Sequence, residues 1–526
     1  MEALAASARA GGPRAWLGLI GIGLLFLALR WNNYHAPLIR DEGEYAYAAQ
    51  LLRHGLAPYQ HSFLQKPPMV VYTYLVSNLV APDAFWFPRV LAAVFIATTT
   101  ALVGLIARRE FGGGVAVTAM ALFTPMVLLP EIEQFTANTE MFLLLPLIGA
   151  FAVYSYNREN GGDYRSWALA GVLGGAAFWY KYTCLPLLGL LYLFWSWDAW
   201  RSHRTARSLW TRWLAAGLGA IGTSVAAIGF FLVQDGGQHL WECTISFNRF
   251  YADSINFGFH LFEVRLVWFW THWWILFLLL PALVIAWSPR LWFWVGLFLL
   301  AWVTTNASGY GQYYVLIMPF WAILIAVAIK AVTSWAAAKA SWPERLLRGC
   351  FALIVLALVC WPDLHSMTLS PQRFAEEKYT GSNPFLESQL VARRVSELTS
   401  PSDAVLVAGS EPQVLCYAGR FSPTRFVITA PLMIPTPLAA GYQQEAMQAL
   451  RDRPPAVVVL ARANSSWLME ETSPRQFPEF LYFLLNDQYQ QVGGYVREGP
   501  VGRWEEPLPP TAMTNATLLV FRRKPG

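Results

Sequence analysis

The chain has 526 residues, of which 56% are hydrophobic and 13% are charged. Since a typical soluble domain has about 25% charged residues, this composition excludes an ordinary soluble enzyme and indicates a polytopic membrane protein. The formal net charge of +5 gives no support to a nucleic-acid partner. The five cysteines show no CxxC or Cys/His ligand spacing, which is typical of buried cysteines that act as small hydrophobic residues.

Eleven apolar stretches are predicted to be membrane-crossing helices, because about 20 mainly apolar residues are needed to cross a bilayer. Basic clusters fall in alternate loops, and by the positive-inside rule those loops are expected to be cytoplasmic. The other loops, 32–86, 131–138, 234–266 and 306–310, and the C-terminus are expected to face outward. The first stretch is interpreted as an anchor, with a cleaved signal peptide as the alternative. The stretches lie near 15–31, 87–107, 115–130, 139–156, 166–180, 183–199, 212–233, 267–287, 290–305, 311–332 and 346–362.

The first outer loop contains the acidic segment Arg40-Asp41-Glu42-Gly43-Glu44-Tyr45. Carboxylates beside a bilayer cost desolvation energy unless they face water, a cation or a substrate, so a functional role is the default hypothesis. A short helix over 40–53 would place Asp41 and Glu44 on one face and point Glu42 elsewhere. The alternative is that these acids only cap that helix.

Two lysines are candidates for binding an anionic group. Lys66 precedes Pro67 and Pro68, which fix the backbone and present its ammonium from a rigid turn. Lys181 lies between two apolar stretches at the predicted outer surface. For both lysines the alternative is an ordinary position at the membrane interface, where the ammonium reaches water.

A second group of acids precedes the fourth stretch and comprises Glu131, Glu133 and Glu140. Glu140 lies at the start of the fourth stretch, where one interpretation is that it caps the helix. The loop 234–266 mixes polar and aromatic residues, which suits either a sugar site or a helix at headgroup level. Arg249 is its candidate for binding phosphate, because a guanidinium can grip two phosphate oxygens. His239, Glu242, His260 and Glu263 could form a site for a divalent metal. Their spacing, however, matches no strong zinc pattern.

Residues 363–526 are predicted to form a soluble α/β domain, and residues 1–362 the transmembrane part. Strands are expected at 404–408, 426–429, 456–460 and 518–521, and helices at 384–399, 439–452 and 475–488. No Gly-rich phosphate loop opens any of these helices, so a nucleotide site is not expected. The domain is expected to cover or shape the outer site.

Four motifs together resemble a known family. They are Asp41-Glu42-Gly43-Glu44-Tyr45, Lys66-Pro67-Pro68, Phe87-Pro88-Arg89, and Tyr313-Tyr314 with Met318-Pro319. As a set they resemble the bacterial relatives of protein O-mannosyltransferases and lipid A aminoarabinose transferases, a glycosyltransferase family 39-like group. These are integral-membrane glycosyltransferases of the GT-C class, and the resemblance covers about the first 330 residues.

The resemblance implies a catalytic aspartate in the first outer loop, which Asp41 matches, and a sugar donor carried on a polyprenyl phosphate. It implies roles in binding the donor phosphate for Lys66, Lys181 and Tyr313. Glu140 stands where relatives often have aspartate. A C-terminal extracytoplasmic domain is common in the family.

The sequence therefore predicts an extracytoplasmic glycosyltransferase of the cell membrane that inverts by a single displacement. Its acceptor is a lipid, a glycan or a protein. In this scheme Asp41 is the general base, Glu44 and Glu140 are further acidic candidates, and the cations hold the leaving phosphate. The alternatives are a transporter or flippase of lipid-linked substrates and a noncatalytic assembly factor. The charges lie in outer loops and no internal repeat is visible, which counts against a transporter.

Overall fold

The computed structural model describes residues 13–128, 136–254, 259–306, 311–340, 342–379, 383–498 and 501–525. Every one of the eleven predicted spans overlaps an α-helix. The helices up to residue 360 are, in chain order, α1 Pro13–Arg30, α2 Arg40–Arg53, α3 Met69–Val80, α4 Phe87–Phe111, α5 Gly113–Leu128, α6 Thr139–Asn157, α7 Tyr164–Tyr180, α8 Leu185–His203, α9 Ala206–Val233, α10 Gly237–Trp241, α11 Phe247–Ser254, α12 Phe259–Leu279, α13 Pro289–Asn306, α14 Met318–Ala340 and α15 Glu344–Cys360.

Six helical segments in the described ranges are long and apolar enough to cross a membrane. Four shorter apolar helices accompany them. The protein is therefore a multi-pass α-helical membrane protein, as predicted. The long segments are Phe87–Phe111, Thr139–Asn160, Ala206–Val233, Glu263–Val284, Met318–Ala340 and Glu344–Thr368.

After residue 360 short helices alternate with strands. The helices are α16 Leu364–Thr368, α17 Pro371–Tyr379, α18 Phe385–Leu398, α19 Gln413–Ala418, α20 Ala430–Met433, α21 Ala439–Asp452, α22 Asn464–Trp467 and α23 Gln476–Gln488. The strands are β1 Val405–Ala408, β2 Val457–Ala461, β3 Tyr489–Glu498, β4 Val501–Glu505 and β5 Ala516–Arg523. This confirms an α/β arrangement in the C-terminal part.

The five strands form one sheet in the order β1-β2-β5-β3-β4. β1 and β2 are parallel, with Val405 opposite Val457, and the remaining pairs are antiparallel. The strand predicted at 426–429 is wrong: Phe426, Val427 and Ile428 are buried in an irregular segment that precedes α20. Their apolar side chains fill the core without adding a strand to the sheet.

The chain folds into two compact units. The helical unit consists of Met1–Tyr34, Arg89–Ala227 and Phe257–Thr368, and the sheet unit consists of His35–Pro88, Ile228–Asn256 and Leu369–Gly526. Residues 35–86, which contain the acidic segment, therefore belong to the same compact unit as the C-terminal sheet.

Within the helical unit, glycines bring α7 and α9 into close contact. A Cβ atom on Gly171 would lie 2.1 Å from the carbonyl oxygen of Ala216, and one on Gly219 would lie 2.3 Å from that of Ala168. Small residues at such crossings let helix backbones approach closely, as is common between membrane helices. This packing fixes α7, whose C-terminal end carries Lys181.

Candidate functional site

The acidic segment lies on α2, which has the bounds predicted for it. At its N-terminus the Ile39 backbone N–H donates to the Glu42 carboxylate over 3.2 Å, so Glu42 satisfies one of the free N–H groups of the first turn. Glu42 is fully buried, whereas Asp41 is partly exposed. The capping role thus falls to Glu42, and Asp41 is left on a different part of the helix surface.

Glu44 is buried one turn after Asp41, and its Oε1 atom has no hydrogen-bond partner within the described part of the chain. The pKa of Glu44 is raised to about 8, mainly by burial and further by the nearby charge of Asp41, while the charges of Lys66 and Arg40 oppose this rise. Glu44 therefore keeps its proton at neutral pH. Its environment also shows that Asp41 and Lys66 are near enough to influence it electrostatically.

Lys66 lies in a bend directly before α3, as its two following prolines predicted. The backbone of this bend is held from two sides. The Tyr59 hydroxyl donates to the Lys66 carbonyl over 2.9 Å, and the Asn248 amide donates to the Gln65 carbonyl over 2.9 Å. The backbone that carries Lys66 is thus held by contacts to its own loop and to α11.

Glu140, Lys181 and Tyr313 form a second cluster, in the helical unit. The Lys181 Nζ lies 2.5 Å from Glu140 Oε1 and 2.8 Å from the centroid of the Tyr313 ring. Lys181 is 8% exposed and Glu140 is 1% exposed. The Thr139 hydroxyl donates to the Tyr180 carbonyl over 3.0 Å and so joins the start of α6 to the end of α7.

The Lys181 side chain is buried, whereas an ordinary lysine at the membrane interface would reach water. Glu140 is also buried, but so is Glu42, which caps α2. A buried ion pair contributes little net stability, because the desolvation cost offsets most of the attraction. The pair is therefore a candidate for a binding or catalytic role.

Asn138 is a further polar residue at this site that sequence reasoning missed. It is fully buried, and neither its amide nitrogen nor its amide oxygen has a hydrogen-bond partner among the described residues. It precedes α6 in the N-cap position, but its side chain makes no capping bond. Because buried polar atoms are nearly always paired, this amide is a candidate for contact with a ligand. The available sequence signal was the polar run Asn138-Thr139-Glu140 at the start of the fourth predicted stretch.

The loop 234–266 has a different organisation from the one considered for a metal site. Glu242 forms an ion pair with Arg425, and His239 Nδ1 lies 3.5 Å from the same carboxylate. Arg249 is exposed on α11. Among the residues that the structure describes, no group of three His, Cys, Asp or Glu side chains is placed to hold a metal. The predicted candidates Glu131 and Glu133 and the side chain of His260 lie outside the described residues.

The predicted site residues thus fall into two groups. Asp41, Glu44 and Lys66 lie together in the sheet unit, which also contains Arg249. Glu140, Lys181 and Tyr313 lie together in the helical unit. Each group combines at least one carboxyl group with a lysine.

The chain matches one family model. Residues 65–227 match the model of dolichyl-phosphate-mannose-protein mannosyltransferase. This range begins one residue before Lys66 and includes Glu140 and Lys181. No curated protein shows a significant sequence match to the chain. The resemblance inferred from the motifs is confirmed over this range.

Two solved structures share the fold over nearly the whole chain. ArnT from Cupriavidus metallidurans, bound to undecaprenyl phosphate, is 14% identical with a TM-score of 0.55, over 97% of this chain and 98% of that chain. The oligosaccharyltransferase from Archaeoglobus fulgidus, tethered to an acceptor peptide, is 13% identical with a TM-score of 0.54, over 94% of this chain and 74% of that chain. The chain therefore has the fold of the GT-C membrane glycosyltransferases, and the likeness extends through the C-terminal sheet.

Proposed function

We propose that this protein is an integral-membrane glycosyltransferase that moves a sugar from a polyprenyl-phosphate donor to an acceptor on the extracytoplasmic side of the membrane. The observation that carries the proposal is the grouping of three residues in one unit. Partly exposed Asp41 and buried Glu44 lie on α2, and Lys66, in the bend before α3, is near enough to Glu44 to influence it electrostatically. This grouping occurs in a chain with the GT-C fold and a match to a mannosyltransferase family model.

The chemistry needs a base and a cation. The acceptor hydroxyl attacks the anomeric carbon of the donor, and its proton passes to the Asp41 carboxylate. The bond between the anomeric carbon and the phosphate oxygen breaks, and the electron pair leaves with the polyprenyl phosphate. Lys66 balances the charge that develops on that phosphate. A single displacement of this kind inverts the configuration of the anomeric carbon.

Glu44 is less suited to the role of base at neutral pH. A pKa of about 8 leaves most of this carboxyl group protonated at pH 7. A protonated carboxyl can donate a hydrogen bond to a neighbouring carboxylate or to a substrate hydroxyl, but it cannot accept the proton of the acceptor. We therefore assign Asp41 as the base and Glu44 as a supporting residue.

The second cluster, taken by itself within the helical unit, is proposed to bind a phosphate group. Lys181 and Tyr313 present a cation and a phenol, which together suit a phosphate group, and Glu140 neutralises the lysine while no ligand is bound. ArnT was solved with undecaprenyl phosphate, and the Archaeoglobus fulgidus enzyme with a dolichol-phosphate and an inhibitory peptide. These ligands support a lipid-linked donor and leave a lipid, a glycan or a protein as the acceptor. None of the observations favours the transporter or flippase alternative.

The alternating basic loops support an outward orientation of the site. In a cysteine-free background, single cysteines introduced near residues 60, 250 and 450 of the protein in intact cells are expected to react with a membrane-impermeant reagent. Those near residues 205 and 340 are expected to stay unlabelled. The opposite pattern would place the active site in the cytoplasm and would remove this part of the proposal.

The donor class can be tested with purified protein in lipid nanodiscs. Polyprenyl-phosphate sugars and nucleotide sugars are supplied separately with extracts of cell-envelope acceptors, and transfer is followed by mass spectrometry. Transfer from the lipid-linked donor is expected, because no nucleotide-binding loop occurs in the sequence. Equal turnover of a nucleotide sugar in the absence of polyprenyl phosphate would refute the proposed donor class.

A further inference from the structure

Arg425 lies in the sheet unit, 359 residues after Lys66 in the sequence, and forms an unusually complete ion-pair arrangement. Its guanidinium donates to both oxygens of Glu242 over 3.0 and 3.1 Å. It also donates to both oxygens of Glu445 over 2.7 and 2.9 Å. The Arg425 side chain is only 5% exposed. One buried guanidinium thus joins α21 to the segment that follows α10.

Aromatic rings surround this guanidinium. Its central carbon lies 5.2 Å from the ring centroid of Phe63, 5.1 Å from that of Phe426 and 5.5 Å from that of Tyr442. Phe63 also stacks on Phe426, with the ring centroids 5.6 Å apart. The Phe63 backbone N–H donates to the Arg425 carbonyl over 2.6 Å. Arg425 therefore holds Phe63 through both its side chain and its backbone.

Phe63 is three residues from Lys66, so its attachment restricts where Lys66 can lie. A second connection runs from Arg425 through Glu242, which lies at the start of the helical segment that leads into α11. Asn248 on α11 then donates to the carbonyl of Gln65, the residue before Lys66, over 2.9 Å. Both connections begin at Arg425; the first ends at Phe63, three residues before Lys66, and the second ends at Gln65, directly before Lys66.

Stability alone explains this arrangement poorly. Removing the Arg425 guanidinium from water is costly, while the Glu242 and Glu445 side chains remain 27% and 46% exposed. Apolar residues of similar size often give equal or greater stability than a buried charge with its partners. A guanidinium held by two bidentate carboxylates does, however, fix position and orientation more tightly than apolar packing does.

We propose that Arg425 is a positioning residue that holds the Lys66 segment in the geometry needed to bind the donor phosphate. The inference rests on the proposed function and adds to it a defined task for the C-terminal part of the chain. The contacts of Arg425 support this positioning role, which requires neither a nucleotide nor a metal. Displacement of a catalytic group by about 1 Å can slow a reaction by roughly 100-fold.

The test compares Arg425→Met, Arg425→Lys and Arg394→Met in the full-length protein in nanodiscs. Arg394 is a matched control, because it also pairs with two carboxylates of the sheet unit, Glu397 and Glu506, but is 32% exposed. Arg425→Met is expected to lower kcat/KM for the lipid-linked donor by roughly 10- to 100-fold and to leave the KM for the acceptor within about twofold. Arg425→Lys keeps the charge without the bidentate geometry and is expected to be intermediate. Arg394→Met is expected to match the wild type.

Hydrogen exchange provides a readout that does not depend on catalysis. Arg425→Met is expected to speed amide exchange in residues 57–66 by at least about tenfold, whereas Arg394→Met leaves that segment protected. Unchanged exchange there, or equal losses for donor and acceptor, would refute a positioning role. If the wild-type protein transferred no sugar at all, the proposed function would fail while the exchange comparison would still decide whether Arg425 holds the segment.

Discussion

The Lys181 ammonium lies 2.5 Å from the Glu140 carboxylate, although the two residues are 41 positions apart. Each side chain is the main compensating charge for the other in a buried environment. Loss of one partner leaves an unpaired buried charge, which costs about 3–5 kcal/mol, whereas joint replacement by apolar residues of similar volume is often neutral.

Lys181→Met and Glu140→Leu are therefore each expected to lower the thermal unfolding temperature, and the double variant is expected to recover most of that loss. The double variant should nevertheless remain inactive and should not bind polyprenyl phosphate. Thermal unfolding and donor binding measured on the same samples separate the two effects. A double variant that is both stable and active would show that the pair is only structural.

Asn138→Ala tests the buried amide next to this pair. Since the wild-type amide has no partner among the described residues, its removal is expected to leave stability unchanged or slightly higher. Transfer is expected to fall by roughly tenfold or more if the amide binds a charged group of the substrate, because a hydrogen bond to a charged group contributes about 1.5–3 kcal/mol. Asn157→Ala at the other end of α6 serves as the control, and its transfer rate should remain normal. Normal transfer by a folded Asn138→Ala protein would remove this residue from the site.

Glu44 should make stability depend on pH. Its pKa in the folded state is about 8, above the ordinary carboxyl value of 4.5. Between these two pH values the folded state therefore keeps a proton that the unfolded state has lost. The stabilising effect of this proton is complete below pH 4.5 and is lost as the pH rises through about 8.

Glu44→Gln is therefore expected to flatten the decline of the unfolding temperature between pH 5 and 8.5, with the largest gain over the wild type at the alkaline end. Unfolding temperatures in detergent across this range check the prediction. Parallel curves for the two proteins would mean that Glu44 is ionised in the folded state.

Local structure was largely predictable from sequence, because it follows from patterns within a few residues. The eleven apolar stretches lie on helices, and α2 and α21 begin and end at the predicted residues. β1, β2 and β5 contain runs of valine and leucine and were also found. β3 contains Gln490-Gln491 and Gly493-Gly494, and β4 is short and polar, so neither has an apolar run that would reveal it.

Long-range pairing was not predictable in the same way. Asp41, Lys66, Glu140 and Lys181 were identified as separate candidates, but the partner of each depends on the tertiary fold. The role of Arg425 is not visible in the sequence, because this residue precedes an apolar segment that resembles a strand and its partner Glu242 is 183 residues away. The burial of Asn138 likewise depends on packing that a single sequence does not display.

The central claim is that Asp41 accepts the proton of the acceptor hydroxyl. The most direct measurement is single-turnover sugar transfer from a polyprenyl-phosphate donor by wild type, Asp41→Asn and Glu42→Gln in nanodiscs. Their folding and insertion are verified by thermal unfolding. Glu42→Gln keeps the oxygen that caps α2 and is expected to transfer sugar normally. Asp41→Asn cannot accept a proton and is expected to be slower by roughly 100-fold or more while still binding the donor. Near-normal transfer by a folded Asp41→Asn protein would contradict the account and move the base to another carboxylate.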